Sequence, residues 1–455
     1  MTRSLLIAAL TIAAASTSLL AQAPPPAAPA APDASSMRKD WIDPDTGHHV
    51  YRLSVENGSG NLYFHYNAYS ADGKKVVFNS PSGIMAADLG SKKAELIVPG
   101  ARAMETARKT NEVFYLQNGS VMAADLNSKK TRQVVAIPQG LQIACVNADG
   151  TLFAGILTDA PDPEGNDKAA KPDKIASEDQ LSVMFAGKNP AEITEENRLS
   201  ANKENSLAKR LNAVLKATNP RCLFTLNAKT GEVKKFGYAY AWLNHLQFSP
   251  TDPNLLMFCH EGTWHETIRV WTINVAAEHP VAVAMHQRSM PMEIWGHEWW
   301  APDGQSVGFD LQKPRSGNFF IGKVPLVKDS AGNPAPGKEI DFPLDKNWWG
   351  IHFAMSRDGS MYASDGGDPG QVSFAPDGMW INLLRVTNPQ GGPNSIDREK
   401  LVNMKKHDYV TNASVPGHSG VEPNVTFTPD DKYILFSGTF DGARHVYLVE
   451  VAKAQ

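Results

Sequence analysis

Ser70-Ala-Asp-Gly-Lys-Lys-Val-Val-Phe78, Ala301-Pro-Asp-Gly-Gln-Ser-Val-Gly-Phe309 and Ser356-Arg-Asp-Gly-Ser-Met-Tyr362 repeat one phrase: a small lead-in, Asp-Gly, then a β-rich run. The phrase returns as Asn147-Ala-Asp-Gly-Thr-Leu-Phe153, Ala375-Pro-Asp-Gly-Met-Trp-Ile381 and Thr428-Pro-Asp-Asp-Lys-Tyr-Ile-Leu-Phe436, and diverged as Ser249-Pro-Thr-Asp-Pro-Asn-Leu-Leu-Met-Phe258. Asp-Gly supplies the positive φ of a tight turn, so each copy marks a hairpin. A second hairpin type lies between the copies. Ile84-Met-Ala-Ala-Asp-Leu89 and Val121-Met-Ala-Ala-Asp-Leu126 each run into a polar Ser-Lys-Lys turn, and Leu223-Phe-Thr-Leu-Asn-Ala-Lys-Thr-Gly-Glu232 is a third.

Two hairpins per unit make a four-stranded blade, and blades repeated along the chain make a β-propeller. The expected fold is all-β: a seven-bladed β-propeller of four-stranded antiparallel blades over residues 39–455. Two stacked β-sandwiches would not need one fixed hairpin grammar. The N-terminal region, residues 40–80, is expected to pair with the C-terminal strand at 444–451 and close the ring, which removes both exposed sheet edges. Residues 160–218 break the pattern. They are charged and carry a helical rhythm near 207–215, so they read as an insertion between blades, either a lid or a surface loop. Residues 387–397 read as another loop.

The 455 residues include 44 Lys and Arg against 48 Asp and Glu, a formal net charge of -4. That disfavours a general nucleic-acid binder, which is normally basic. Three cysteines (Cys145, Cys222, Cys259) show neither metal spacing nor a disulfide framework. Arg3, an apolar run over 5–20 and Ala21-Gln-Ala23 form a secretory signal with cleavage expected after Ala23. Residues 24–38 read as a disordered Pro/Ala-rich linker. No later stretch is apolar enough to span a membrane, so a soluble periplasmic or secreted mature chain is expected.

His245, His260, His265, His297 and His352 cluster mid-chain near strand ends, and a propeller gathers such ends around one channel. His260 and His297 each precede a Glu, and on a regular strand the two side chains of such a pair face opposite ways. That excludes a helix-borne zinc motif. Bulky aromatics, Trp242 among them, flank several of these histidines, as in a carbohydrate cleft. The plainer alternative is packing and hydrogen bonding between blades.

Trp242-Leu-Asn-His245, Cys259-His-Glu-Gly262, Arg269-Val-Trp271, Gly296-His-Glu-Trp299 and Thr428-Pro-Asp-Asp431 resemble, in order, motifs of the oligogalacturonate lyases. Asp43-Pro-Asp-Thr-Gly47, Tyr51-Arg-Leu53 and Tyr63-Phe64 look like that family's opening. The resemblance implies a seven-bladed enzyme that cleaves pectin oligomers by metal-assisted β-elimination. It implies His245 as the base, Arg269 as a ligand of the substrate carboxylate, and His297 as a ligand of a divalent metal, manganese in the family. His260, His352 and Trp242 are the expected substrate-binding residues.

The family's other metal ligands, a Gln and two His, fall here on Ser419, Glu422 and Asn424. Glu and Asn ligate Mn²⁺, Ca²⁺ or Mg²⁺ through oxygen, so the expected set is His297, Glu422 and Asn424, with His418 as a nitrogen donor nearby. The family's Cys-Cys-Arg run is also displaced, to Pro220-Arg-Cys222. The expected partner is an acidic oligosaccharide. Two other readings stay open: a non-catalytic propeller related to Tol-type periplasmic domains that binds a glycan or protein, and an enzyme for another acidic sugar on the same site.

Overall fold

The computed structural model describes residues 39–158, 220–261, 267–290, 293–314, 317–367, 374–387, 396–409 and 420–454. The signal and linker at 1–38, the segment 160–218, His265, His418, Ser419 and most of the 387–397 loop lie outside the described residues.

Seven antiparallel sheets follow one another along the chain. Their innermost strands are Gly60–Asn61, Ala103–Thr106, Gln142–Val146, Trp242–Phe248, Ile294–Trp300, Phe353–Met355 and Thr426–Phe427. Each is followed by three more strands running outward, so the blades are seven and the fold is the expected propeller. The last blade closes the ring with an N-terminal strand. His48–Arg52 pairs with His445–Lys453 in the register Val50↔Val449, and Asp40–Ile42 adds a fifth strand outside it. His48 fixes this seam: Nδ1 lies 2.9 Å from the Glu450 carbonyl and Nε2 lies 3.1 Å from Glu399 of the preceding blade.

The repeated phrase builds the turn after the innermost strand. In the sixth blade Ser356 N–H donates to Met361 O at 2.9 Å and Gly359 N–H to Ser356 O at 3.0 Å. Asp358 Oδ1 accepts from Ser356 Oγ and Ser360 N–H, which leaves Gly359 at φ +70. In the last blade Asp431 takes that left-handed position at φ +56. Its carboxylate accepts Arg357 N–H at 3.0 Å and so ties two blades together.

The copy at 375–378 joins the second and third strands of the sixth blade. One expectation needs correction. The segment 160–218 does not separate blades. Leu152–Leu157 pairs directly with Arg221–Asn227, so it expands a hairpin within the third blade.

Alternation of buried and half-buried positions survives in the outer strand His48–Arg52. Middle strands such as Ser306–Lys313 are buried almost throughout, because a neighbouring blade covers each face. Between the third and fourth blades Cys145, Leu223 and Phe236 pack against Leu243, Phe248 and Phe258. Truncating one such Phe to Ala costs about 3–5 kcal/mol. These interfaces hold the innermost strands rigid, and the candidate site is built on them.

Candidate active site

Four residues before the turn phrase, the last four blades carry His245, His297, His352 and Asn424, counting back from Ser249, Ala301, Ser356 and Thr428. His245, His297 and Asn424 adopt φ of +49, +41 and +55. Such values cost a non-glycine residue about 1–2 kcal/mol and concentrate at functional sites. Pairing slips at two of these positions, between Asn244 and Gln247 and between Gly296 and Trp299. A bulge of this kind re-aims a side chain that a regular strand would hold elsewhere.

Tyr63, on the segment after the first blade's innermost strand, joins the ring. Its ring centroid lies 5.6 Å from that of His245 and 5.3 Å from that of His352, which in turn stands 5.3 Å from His297. His65 lies 5.4 Å from His245 and both its ring nitrogens are buried without a hydrogen-bond partner among the described residues. Burial, then the neighbouring His245, pushes its pKa well down, so the ring is neutral. A cavity of about 350 Å³ continues from His65 past Gln247 and Trp299 toward Arg357 and Asp431 at the turn end of the propeller.

His245 is oriented from behind. Its Nδ1 lies 3.0 Å from Glu298 Oε1, and Arg269 Nε donates to Glu298 Oε2 at 3.1 Å. Arg269 Nη2 also comes within 3.2 Å of Nδ1. Glu298 only accepts and Arg269 only donates, so the two contacts ask for opposite tautomers; the shorter one, to Glu298, is served by a proton on Nδ1, and in that tautomer Nε2 carries the lone pair. Burial alone would raise the Glu298 carboxyl, but Arg269 and then His245 outweigh it and hold it well below the usual range. A base held by an ionised carboxylate is thus preassembled.

Arg269 is itself only 6% exposed, so its main partner is Glu298 beneath the base. Cys259, the Glu298 carboxylate and His245 place donor atoms within 4.8 Å of one another. They do not suit a metal. Arg269 already supplies the cation there, and burial, then Glu298, pushes the Cys259 thiol up, so it is protonated.

The donor set that does suit one lies across Tyr63. His352 Nδ1 donates to Asp365 Oδ2 at 2.6 Å, and Asp365 Oδ1 also accepts the N–H groups of Ile351 and His352. In that tautomer His352 Nε2 carries the ring's acceptor lone pair and faces Glu422 Oε2 at 3.8 Å. An imidazole whose second nitrogen is tied to a carboxylate is the usual form of a metal-ligating histidine. Burial, then His352, keeps His297 well below the ordinary imidazole pKa, so it too offers a lone pair. Asp310 Oδ1 is buried without a hydrogen bond, 3.3 Å from His297 Nδ1. Two imidazoles, a carboxylate and an orphaned buried oxygen fit a divalent cation.

Asn424 is committed elsewhere. Its Oδ1 accepts from Phe64 N–H at 3.3 Å and its amide donates to the Glu422 carbonyl at 3.0 Å. His260 is not brought to the ring. It stacks on Trp271 at 5.2 Å, and burial lowers its pKa to about 4. Trp242 opens its strand opposite Glu261. Sequence reasoning gave no role to Glu298, Asp365, Tyr63 or His65. The signal for the ring itself was available as the constant four-residue offset from the turn phrase.

A family model described as oligogalacturonate lyase matches residues 208–455. Oligogalacturonate lyase of Dickeya dadantii is 29% identical over 242 residues, 51% of this chain and 56% of that protein. Oligogalacturonide lyase of Pectobacterium atrosepticum is 28% identical over 243 residues, 51% of this chain and 56% of that protein. The match therefore spans about half the length of the curated relatives. Among solved structures, an oligogalacturonate lyase in complex with manganese superposes with a TM-score of 0.62 at 21% identity, over 91% of this chain and 96% of that one. An oligogalacturonate lyase from Vibrio parahaemolyticus gives 0.64 at 20% identity over the same shares.

Proposed function

The chain belongs to the oligogalacturonate lyase family, and from that premise we propose that it cleaves uronic-acid oligosaccharides, oligogalacturonides in the first place, by β-elimination. The observation that carries the reading is the His245–Glu298–Arg269 chain, with His245 Nδ1 3.0 Å from Glu298. A uronate holds an acidic C5 proton beside its carboxylate, with the glycosidic oxygen on C4. His245 Nε2 takes the C5 proton. Glu298 stabilises the imidazolium that forms, and Arg269 keeps Glu298 ionised.

His297, His352 and Glu422 would hold a divalent cation, with Asp365 fixing the His352 ring. Mixed imidazole and carboxylate donors suit Mn²⁺ or a neighbouring transition metal better than Ca²⁺ or Mg²⁺, which prefer all-oxygen sets. A described neighbour is a manganese complex, which favours Mn²⁺. When bound, the cation supplies positive charge for the substrate carboxylate, so that charge developing next to C5 is tolerated. Residues 1–23 support action in the periplasm or outside the cell, and no helix among the described residues is long and apolar enough to cross a membrane.

The test is incubation of the full chain with a panel of oligouronides, with Mn²⁺ or with chelator. The expected result is growth of the ultraviolet band of a 4,5-unsaturated uronate on oligogalacturonide, abolished by chelator. No band with any uronate would refute the lyase reading and leave binding without cleavage.

A further inference from the structure

We propose that Tyr63 is the catalytic acid that protonates the leaving oxygen, an assignment that rests on the lyase reading above. β-Elimination needs two proton transfers, and the His245 chain accounts for only one. The second group must present a donor to the C4 oxygen, close to the base yet distinct from it. Tyr63 meets these conditions by position. Its ring lies 5.6 Å from that of His245 and 5.3 Å from that of His352, beside both the base and a candidate metal ligand. His65 braces it edge-on at 4.9 Å. No described residue hydrogen-bonds the Tyr63 hydroxyl, whereas Arg269 near His245 is engaged by Glu298 and Asn244 by Glu261. A phenol carries its proton at neutral pH and can donate it.

The step balances. The C5–H bond breaks and its proton goes to His245 Nε2. The electron pair left at C5 becomes the C4=C5 double bond. The C4–O bond breaks with its pair on oxygen, and that oxygen takes the Tyr63 proton. The phenolate is then reprotonated by the His245 imidazolium through solvent, so both groups return to their starting forms. Tyr63 lies outside the residues 208–455 that the family model matches.

A tyrosine that served only as a stacking platform for the sugar would be replaced without loss by phenylalanine. The test is Tyr63→Phe in the full chain, assayed on oligogalacturonide and on a galacturonate carrying a nitrophenyl ether at O4. The nitrophenolate leaves without needing a proton. Since the hydroxyl has no described hydrogen-bond partner, the variant should keep the wild-type melting temperature. On oligogalacturonide kcat should fall by about 100-fold or more while KM stays within about threefold, and on the nitrophenyl ether turnover should remain within about threefold of wild type. Unchanged kcat on oligogalacturonide, or an equal loss on both substrates, overturns the assignment. A wild type inert on both substrates fails at the earlier step: the lyase reading falls, and the role of Tyr63 with it.

Discussion

Glu298 reaches across from the fifth blade to place Oε1 3.0 Å from Nδ1 of His245 in the fourth, while its Oε2 accepts from Arg269. One fully buried carboxylate thereby holds the candidate base and neutralises a buried guanidinium. Glu298→Gln keeps the shape and removes the charge. Turnover should fall by about 10²–10⁴-fold, because the imidazolium loses its counter-charge. The variant should also melt lower, since removing one partner of a buried pair costs about 3–5 kcal/mol. A Glu298→Gln protein with wild-type kcat would detach Glu298 from the chemistry.

The metal site gives a prediction that needs no turnover. Titration calorimetry with Mn²⁺ should show one site in wild type and severe loss in His297→Ala, His352→Ala and Glu422→Gln. Asp365→Asn should weaken binding by about 10–100-fold, because Asp365 only orients the His352 ring. Asn424→Ala should leave Mn²⁺ affinity nearly unchanged, since its side chain serves Phe64 and Glu422 backbone groups. The reverse ranking, with Asn424 essential and His352 dispensable, would contradict this donor set.

The fold was legible because its information is local and repeated. An Asp-Gly turn is a backbone requirement written in two residues, and six innermost strands advertise their ends with that phrase or a near copy. The site was legible only in part. His245 and His297 stood out through the family resemblance, and both sit in the ring. Glu298 escaped because strict alternation was applied to Gly296-His-Glu-Trp299, whereas a bulge and a left-handed His297 break the alternation there. By the family resemblance alone His352 is a substrate ligand. Only its bond to Asp365, thirteen residues away in the chain, reveals a lone pair aimed at Glu422. Tyr63 and His65 come from a blade distant in sequence, and nothing in their neighbourhood signals convergence.

Stability should peak near pH 6.5. Burial holds the rings of His407 and His445 down to about 4, while in the unfolded chain they titrate near 6.5. Between those values the unfolded chain binds more protons, so stability falls as the pH drops from 6.5 toward 4. His286 has the opposite sign. Burial would lower its pKa, but the carboxylates of Glu293 and Glu339, one against each ring nitrogen, outweigh that and raise it to about 9. Its contribution is complete below 6.5 and is lost as the pH rises toward 9. Melting temperature measured against pH should decline on both sides, and His286→Gln should flatten the alkaline limb alone. An alkaline limb unchanged in His286→Gln would refute the assignment.

The central claim is that the His245 imidazole removes the C5 proton of a uronate. The most direct measurement is the initial rate of unsaturated-uronate formation by wild type and His245→Ala on the same oligogalacturonide, with substrate affinity measured in parallel. The account predicts a wild-type rate that disappears in His245→Ala while affinity changes little, the pattern of a group used in the transition state. A His245→Ala protein that forms unsaturated product at the wild-type rate would contradict it.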